Sequence, residues 1–214
     1  LLDNFTSETK LLYLCSPNNP TANQFRINEV ESLTEEFPGI AVVDEAYGEY
    51  ADYSMVSHMD KHENLVILRT FSKAFGLAGL RLGYAVTNTA LAKILAEKTP
   101  LPFPVSAFTL NMGQKLLENL DTVKKTVEEL KAERETLTKK LNKISGIEAF
   151  DSKTNFVPFN TDKPYDDVYE KLLKQGILVK RFGKILHLDN CLRTTVGLPQ
   201  MNAKLLEALK EIFR

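Results

Sequence analysis

Lys73 closes the run Thr70-Phe71-Ser72-Lys73, which follows the apolar stretch Leu65–Leu68, and Gly76, Gly79 and Arg81 come next. A lysine where a strand runs out, beside two hydroxyls and a glycine-rich turn, is placed for covalent work. Desolvation lowers the pKa of an amine and lets it form a Schiff base with a carbonyl; the competing reading is an ordinary solvated surface lysine. Asp44 raises a second question. It follows Ile40–Val43, an apolar run that reads as a wholly buried strand. A carboxylate there either caps a turn or faces a cation or a protonated ring nitrogen, since a buried charge needs a partner. Tyr47, three residues on, offers its phenol to the core or to a ligand.

Short apolar runs alternate with polar helical stretches through the first half of the chain. Leu11–Cys15 reads as a strand stopped by Ser16-Pro17-Asn18-Asn19-Pro20. Residues 28–37 read as a helix with Val30 and Leu33 inward, ended by Pro38-Gly39, and Gly83–Thr87 as a fourth strand. This alternation predicts an α/β fold with a mostly parallel sheet, whose ligands sit beyond the carboxyl ends of the strands. The rule selects residues 16–20, 44–47 and 70–73. After the break Pro100-Leu101-Pro102-Phe103-Pro104, residues 106–141 hold no proline and place Leu116, Leu120, Val123, Val127, Leu130, Leu137 and Leu141 on one seam. The spacing predicts a single long helix, interrupted on that seam by Arg134 and packed along its own chain in preference to a coiled-coil dimer. In the last third, residues 147–160, 177–179 and 192–196 read as strand material. Residues 166–175 and 202–213 read as helices, the second capped by Asn202. The expected division is a first domain over residues 1–105 and a second, led by the long helix, over 106–214.

The 214 residues carry 27 basic and 28 acidic side chains, a net charge of −1. That balance argues against nucleic acid or a membrane surface as partner. A composition 43% hydrophobic and 26% charged is that of a globular protein, and no apolar run approaches the roughly 20 residues that span a bilayer. Residues 1–10 show no signal-peptide pattern. Cys15 and Cys191 form neither a metal spacing nor a disulfide framework, so a reducing, cytoplasmic setting is expected. His58 and His62 stand four apart but lack the zinc-protease pattern, and His187 is isolated. Neither a GxGxxG turn after a first strand nor a phosphate-binding GxxxxGK[ST] occurs.

Four segments together resemble the fold-type I aminotransferases that depend on pyridoxal phosphate (PLP). They are Ser16–Thr21 (SPNNPT), Val43–Tyr47 (VDEAY), Thr70–Gly83 (TFSKAFGLAGLRLG) and Cys191–Gly197 (CLRTTVG), in that order and spanning nearly the whole chain. Within that family the chain is most similar to the branch acting on histidinol phosphate in histidine biosynthesis. The resemblance implies a PLP-binding large domain with a smaller C-terminal α/β domain, a homodimer, and exchange of an amino group between histidinol phosphate and 2-oxoglutarate, with glutamate as the other amine. It implies that Lys73 holds PLP as a Schiff base and then serves as general base. Asp44 would pair with the ring nitrogen, and Asn19 and Tyr47 would hydrogen-bond the ring oxygen. Thr70, Ser72 and Arg81 would hold the phosphate, aided by a helix starting just after Lys73. Arg193 would bind the substrate carboxylate, with Asn19 also at the substrate and Lys180 or Arg181 taking the substrate phosphate. The alternatives in the same machinery are an aromatic-amino-acid aminotransferase and a decarboxylase of a phosphorylated amino acid. The alternative of another class is a non-catalytic PLP-fold domain.

Three departures from the family pattern stand out. Ala22 follows the Asn-Asn-Pro-Thr turn where glycine is usual, Lys180 stands where an arginine is usual, and the chain begins just before the first matching strand. The last implies the C-terminal part of a longer aminotransferase, lacking a glycine-rich turn and a ring-stacking aromatic residue. Residues 1–214 alone are therefore expected to bind PLP weakly or not at all, and to be inactive.

Overall fold

The computed structural model describes residues 4–98 and 105–214, so the proline-broken stretch 100–104 lies outside the described residues. Two compact units form, one of residues 1–17 with 24–124 and the other of residues 18–23 with 125–214. The grouping turns at Lys124, inside a helix, where the sequence reading put a division at residue 105. The helix after the break packs on the first unit: a Cβ at Gly113 would meet Leu82 Cδ2 at 2.5 Å and Phe71 at 3.7 Å.

The first unit holds β1 (Leu11–Cys15), α1 (Ile27–Glu36), β2 (Ile40–Asp44), β3 (Leu65–Thr70), β4 (Gly83–Thr87), α2 (Thr89–Lys98) and α3 (Ala107–Leu117). Its sheet runs β1-β2-β3-β4, the first three strands parallel and β4 antiparallel to β3. The mostly parallel sheet expected of an α/β fold is therefore present. Register pairs Cys15 with Asp44, Asp44 with Leu68, and Thr70 with Gly83. The chain thus leaves β1, β2 and β3 along one edge. Alternation along β1 turns Leu12 and Leu14 into a core with Val30, Phe37, Val43 and Ile67. Leu11 and Tyr13 stand on the other face, 56% and 49% exposed. A one-residue slip in pairing would exchange those two sets, so burial of one face fixes the register. Side chains as fully enclosed as Val30, Leu65 and Ile67 each contribute roughly 1.5–3 kcal/mol.

The second unit holds β5 (Ile147–Ala149), β6 (Phe156–Thr161), β7 (Lys180–Ile185) and β8 (Leu188–Thr195), in the antiparallel order β5-β6-β8-β7. The C-terminal half of α4 (Leu120–Leu141), α5 (Tyr165–Lys174) and α6 (Pro199–Ile212) close its core through Leu137, Leu141, Leu172 and Leu209. No helix among the described residues is long and apolar enough to cross a membrane.

Three expectations are corrected. The long helix is two helices, because the ladder fails at residues 118–119: Asn119 N–H turns back to Leu116 O at 3.0 Å and its amide donates to Lys115 O at 2.8 Å. Arg134 does interrupt the seam, yet it is buried, donating to Thr154 O at 2.8 Å. Residues 177–179 precede the strand rather than form it; β7 begins at Lys180. The final helix starts at Pro199, whose missing N–H costs nothing in a first turn. Asn202 therefore lies inside that helix, and its side chain ties down Gly197 N and O and Glu133.

Candidate active site

At the carboxyl edge of the first sheet, a cavity of about 390 Å³ is lined by Asp44, Thr70, Ser72, Lys73 and Arg81, together with Leu68 and Arg69. Five of the residues singled out in the sequence thus share one wall. Each is delivered by a strand end. Asp44 is the last residue of β2, fixed from both sides: Ala46 N–H donates to Oδ1 at 2.9 Å and Tyr13 Oη to Oδ2 at 2.6 Å. Burial and this bond to Asp44 push the Tyr13 hydroxyl well above the usual tyrosine range. Burial and the same carboxylate raise the Cys15 thiol. Lys73 Nζ lies 5.2 Å from the centre of the buried Tyr47 ring.

Past β3 the chain turns back without an α-helix. Thr70 Oγ1 accepts from Ser72 N–H at 3.1 Å, Phe71 N–H bonds Leu82 O at 3.0 Å, and Leu77 N–H bonds Phe71 O at 2.9 Å. Gly76 sits at φ +69°, and only a 3-10 turn, Ala78–Leu80, follows. The helix dipole expected beside Lys73 is absent from this segment, because its N–H groups are spent on a tight loop. Arg81, left-handed at φ 53°, donates to Ala78 O at 3.2 Å and keeps an exposed guanidinium on the cavity.

Beneath the cavity lies a charged cluster. Glu45, 2% exposed, accepts from Arg69 Nη1 at 2.7 Å, Ser54 Oγ at 2.6 Å and Met55 N–H at 2.7 Å. Arg69 Nη2 donates to Glu49 at 2.9 Å. Burial raises the Glu49 carboxyl against the pull of Arg69. The guanidinium is held protonated by Glu49 and Glu45, although burial opposes it. Gly48 makes room for this: a Cβ there would stand 2.0 Å from Arg69 Nη1. The cluster ties the loop after Asp44 to the residue before Thr70, so it sets the spacing between the two strand ends.

The second unit gathers another set. Arg193, on β8, donates from Nη1 to Asn19 Oδ1 at 2.8 Å and stacks on Phe156 and Phe182 at 4.5 and 5.4 Å. Its Nε is buried without a partner. Lys180 is its register partner on β7 and is exposed. Two like charges directly across a rung disfavour each other, and an anion between them would relieve both. Arg181 is engaged elsewhere: it pairs with Asp166 at 3.0 Å and lies over the Tyr169 ring at 4.3 Å.

The turn that carries Asn19 contains two cis peptides, Ser16-Pro17 and Asn19-Pro20. Ala22 adopts φ 62°. That costs about 1 kcal/mol for a residue with a Cβ. It is offset by full burial of the methyl, about 0.8 kcal/mol, and by backbone bonds to Asn18 O and from Lys153 N–H.

Tyr13, Glu45, Arg69, Phe156 and Phe182 were not foreseen. Signals existed for three of them. Tyr13 shares a strand face with Cys15, which leads into the Ser16 turn. Glu45 and Arg69 are opposite charges flanking buried strands, each needing a partner. The histidines do not join the site: His58 pairs with Glu31 at 2.9 Å, and His62 is buried. Among the described residues no group of His, Cys, Asp and Glu is arranged for a metal ion.

Comparison with known proteins agrees with this architecture. Histidinol-phosphate aminotransferases of Thermoanaerobacter sp. (strain X514) and of Archaeoglobus fulgidus are 40% and 38% identical to the chain over 206 and 213 residues. These matches take in 96% and 100% of the chain but 58% and 64% of those proteins, so the chain spans roughly three fifths of the relatives it matches. The crystal structure of the Sinorhizobium meliloti histidinol-phosphate aminotransferase in complex with pyridoxal-5'-phosphate superposes with a TM-score of 0.83 at 27% identity. It covers 95% of this chain and 57% of its own. The L-threonine-O-3-phosphate decarboxylase of Porphyromonas gingivalis, 24% identical with a TM-score of 0.83 over 96% of this chain and 65% of its own, shares the fold. The profile of the family described as aminotransferase class I and II matches residues 1–209, leaving only the last turn of α6 outside it, and the chain belongs to that family.

Proposed function

We propose that the protein transfers an amino group between histidinol phosphate and 2-oxoglutarate, with PLP bound at the strand-end cavity. The observation that carries this reading is the shared wall of Lys73, Asp44, Thr70 and Arg81. Its donor set fits the cofactor group by group: an amine for an aldehyde, a carboxylate for a protonated ring nitrogen, and hydroxyls with a guanidinium for a phosphate. When bound, PLP supplies a sink for the electrons left on the substrate Cα after a proton is removed.

The chain's own residues do the rest. Lys73 Nζ would anchor the cofactor and would serve as the base for the proton on the substrate Cα. Asp44 would pair with the ring nitrogen, Tyr47 and Asn19 would donate to the ring oxygen, and Thr70, Ser72 and Arg81 would hold the phosphate. Arg193, stacked on two rings and braced by Asn19, is the guanidinium for a substrate carboxylate. Lys180 meets the same substrate from across the rung, and the role left open between Lys180 and Arg181 goes to Lys180, since Asp166 already occupies Arg181. A cytoplasmic homodimer completes the reading, supported by two free thiols and by exposed apolar side chains such as Phe108 and Leu110.

In a protein of the relatives' full length, incubation with PLP, histidinol phosphate and 2-oxoglutarate should yield glutamate, whereas residues 1–214 alone should not. Failure of the full-length protein to do so while another amino acid serves as donor would overturn the substrate assignment. Arg193→Lys should damage the glutamate half-reaction more than the histidinol-phosphate half-reaction, because only glutamate offers a carboxylate to the guanidinium fork. Single-turnover rates for each half-reaction make the comparison, and equal losses would count against the role. Lys180→Ala should raise KM for histidinol phosphate on the order of tenfold, the worth of one charge-assisted contact, with kcat little changed.

A further inference from the structure

We infer that Tyr13 is a positioning residue for the cofactor, acting through Asp44: its hydroxyl holds the carboxylate in the orientation that receives the ring nitrogen. The inference rests on the PLP reading above and deepens it.

A carboxylate turns easily about its last bond, because terminal torsions of this kind are broad and nearly two-fold. Asp44 has no such freedom here. Ala46 N–H holds Oδ1 at 2.9 Å, and Tyr13 Oη holds Oδ2 at 2.6 Å from the neighbouring strand. One donor alone would leave the plane free to swing about it; two donors on different oxygens define the plane. Each oxygen keeps a further lone pair, so the clamp leaves the carboxylate able to accept from a ligand. Of the two donors, only Tyr13 can be altered by substitution, since the other is backbone.

The burial of the two groups says which of them benefits. Tyr13 is 49% exposed, on the face of β1 opposite the core. Its hydroxyl could be satisfied by water, so the fold does not require the bond. Asp44 lines the cavity and is the group whose direction matters. The geometry is also set by the sheet rather than by chance. Cys15 pairs with Asp44, and Tyr13 lies two residues back on the same face. Its ring therefore reaches diagonally toward the strand end, a span that phenylalanine would cover without the terminal oxygen.

The test is a double-mutant cycle in a protein of the relatives' full length, made of Tyr13→Phe, Asp44→Asn and the pair. PLP affinity is measured by titration, and the pH midpoint of the visible band of bound PLP is measured separately. Thermal unfolding of the PLP-free proteins serves as a control for folding. Tyr13→Phe should fold normally and weaken PLP binding roughly 3- to 10-fold, as expected for loss of one bond to a charged group acting at second hand. It should also raise the pH midpoint, because a ring nitrogen facing a less firmly held carboxylate keeps its proton less of the time and so opposes a second proton on the same conjugated system less strongly. In the Asp44→Asn background the same change should have no further effect on either quantity. An effect of Tyr13→Phe that persists undiminished in that background would mean the ring acts by packing and would overturn the inference; wild-type affinity and midpoint in Tyr13→Phe would overturn it as well. If Asp44→Asn itself binds PLP like the wild type, the PLP reading and the inference fall together, which is a different result from the other two.

Discussion

In a protein of the relatives' full length, Lys73→Ala is expected to retain PLP without a covalent bond and to lose transamination by several orders of magnitude. Asp44, Thr70 and Arg81 line the same cavity, so under the proposed function the cofactor would keep its charge partners while the anchoring amine and the base disappear together. Removing a nucleophile that doubles as the base leaves only binding and orientation, which is why the loss should be large. Borohydride reduction followed by peptide mapping gives the direct check. The pyridoxyl group should appear on Lys73 in the wild type and on no peptide of the variant. Among the described residues Lys73 is the only lysine lining this cavity, so label on any other lysine would sink the assignment.

Glu45→Gln should cost about 3 kcal/mol of folding stability, near the lower end of what breaking a buried ion pair costs. The side chains of Glu45 and Arg69 are 2% and 14% exposed, too enclosed for water to replace the lost charge. The amide of glutamine would turn a donor toward a guanidinium that already has only donors. Arg69 keeps Glu49, which holds the loss to the low end. Chemical unfolding of the full chain, read as a fall in midpoint at constant slope, measures it. A change below about 1 kcal/mol would mean that the cluster contributes no more than a surface pair. PLP affinity should fall with stability, since Arg69 immediately precedes Thr70.

The parts of this architecture that could be read from the sequence are those governed by local rules. Apolar runs of strand length, stopped by proline, asparagine or a charge, located β1 to β4, and the rule about strand ends put Asp44 and Lys73 on one edge. What escaped depends on pairing across the sheet. Nothing in Leu11–Cys15 says that Tyr13 will reach the end of the next strand; register decides it. The different surroundings of Lys180 and Arg181 likewise depend on strand pairing, which sets one opposite Arg193 and leaves the other to Asp166. The break between α3 and α4 went unseen because the heptad seam continues through it, while the backbone bonds of Asn119 do not. Asn202 looked like a helix cap because its position in the pattern was suitable, but Pro199 starts the helix three residues earlier.

Gly48 carries a consequence for how this segment can change over generations. Its φ is not in the left-handed region, so glycine is there for volume and not for backbone freedom. The missing methyl is the space into which the Arg69 guanidinium fits. The two positions are therefore bound to drift together: a lineage that gains a side chain at 48 must first shorten or lose the arginine at 69, and losing that arginine strands two acids in a dry place. Single steps in either direction pass through a broken cluster, so the Glu45-Gly48-Glu49-Arg69 set should persist as a block or be replaced as one.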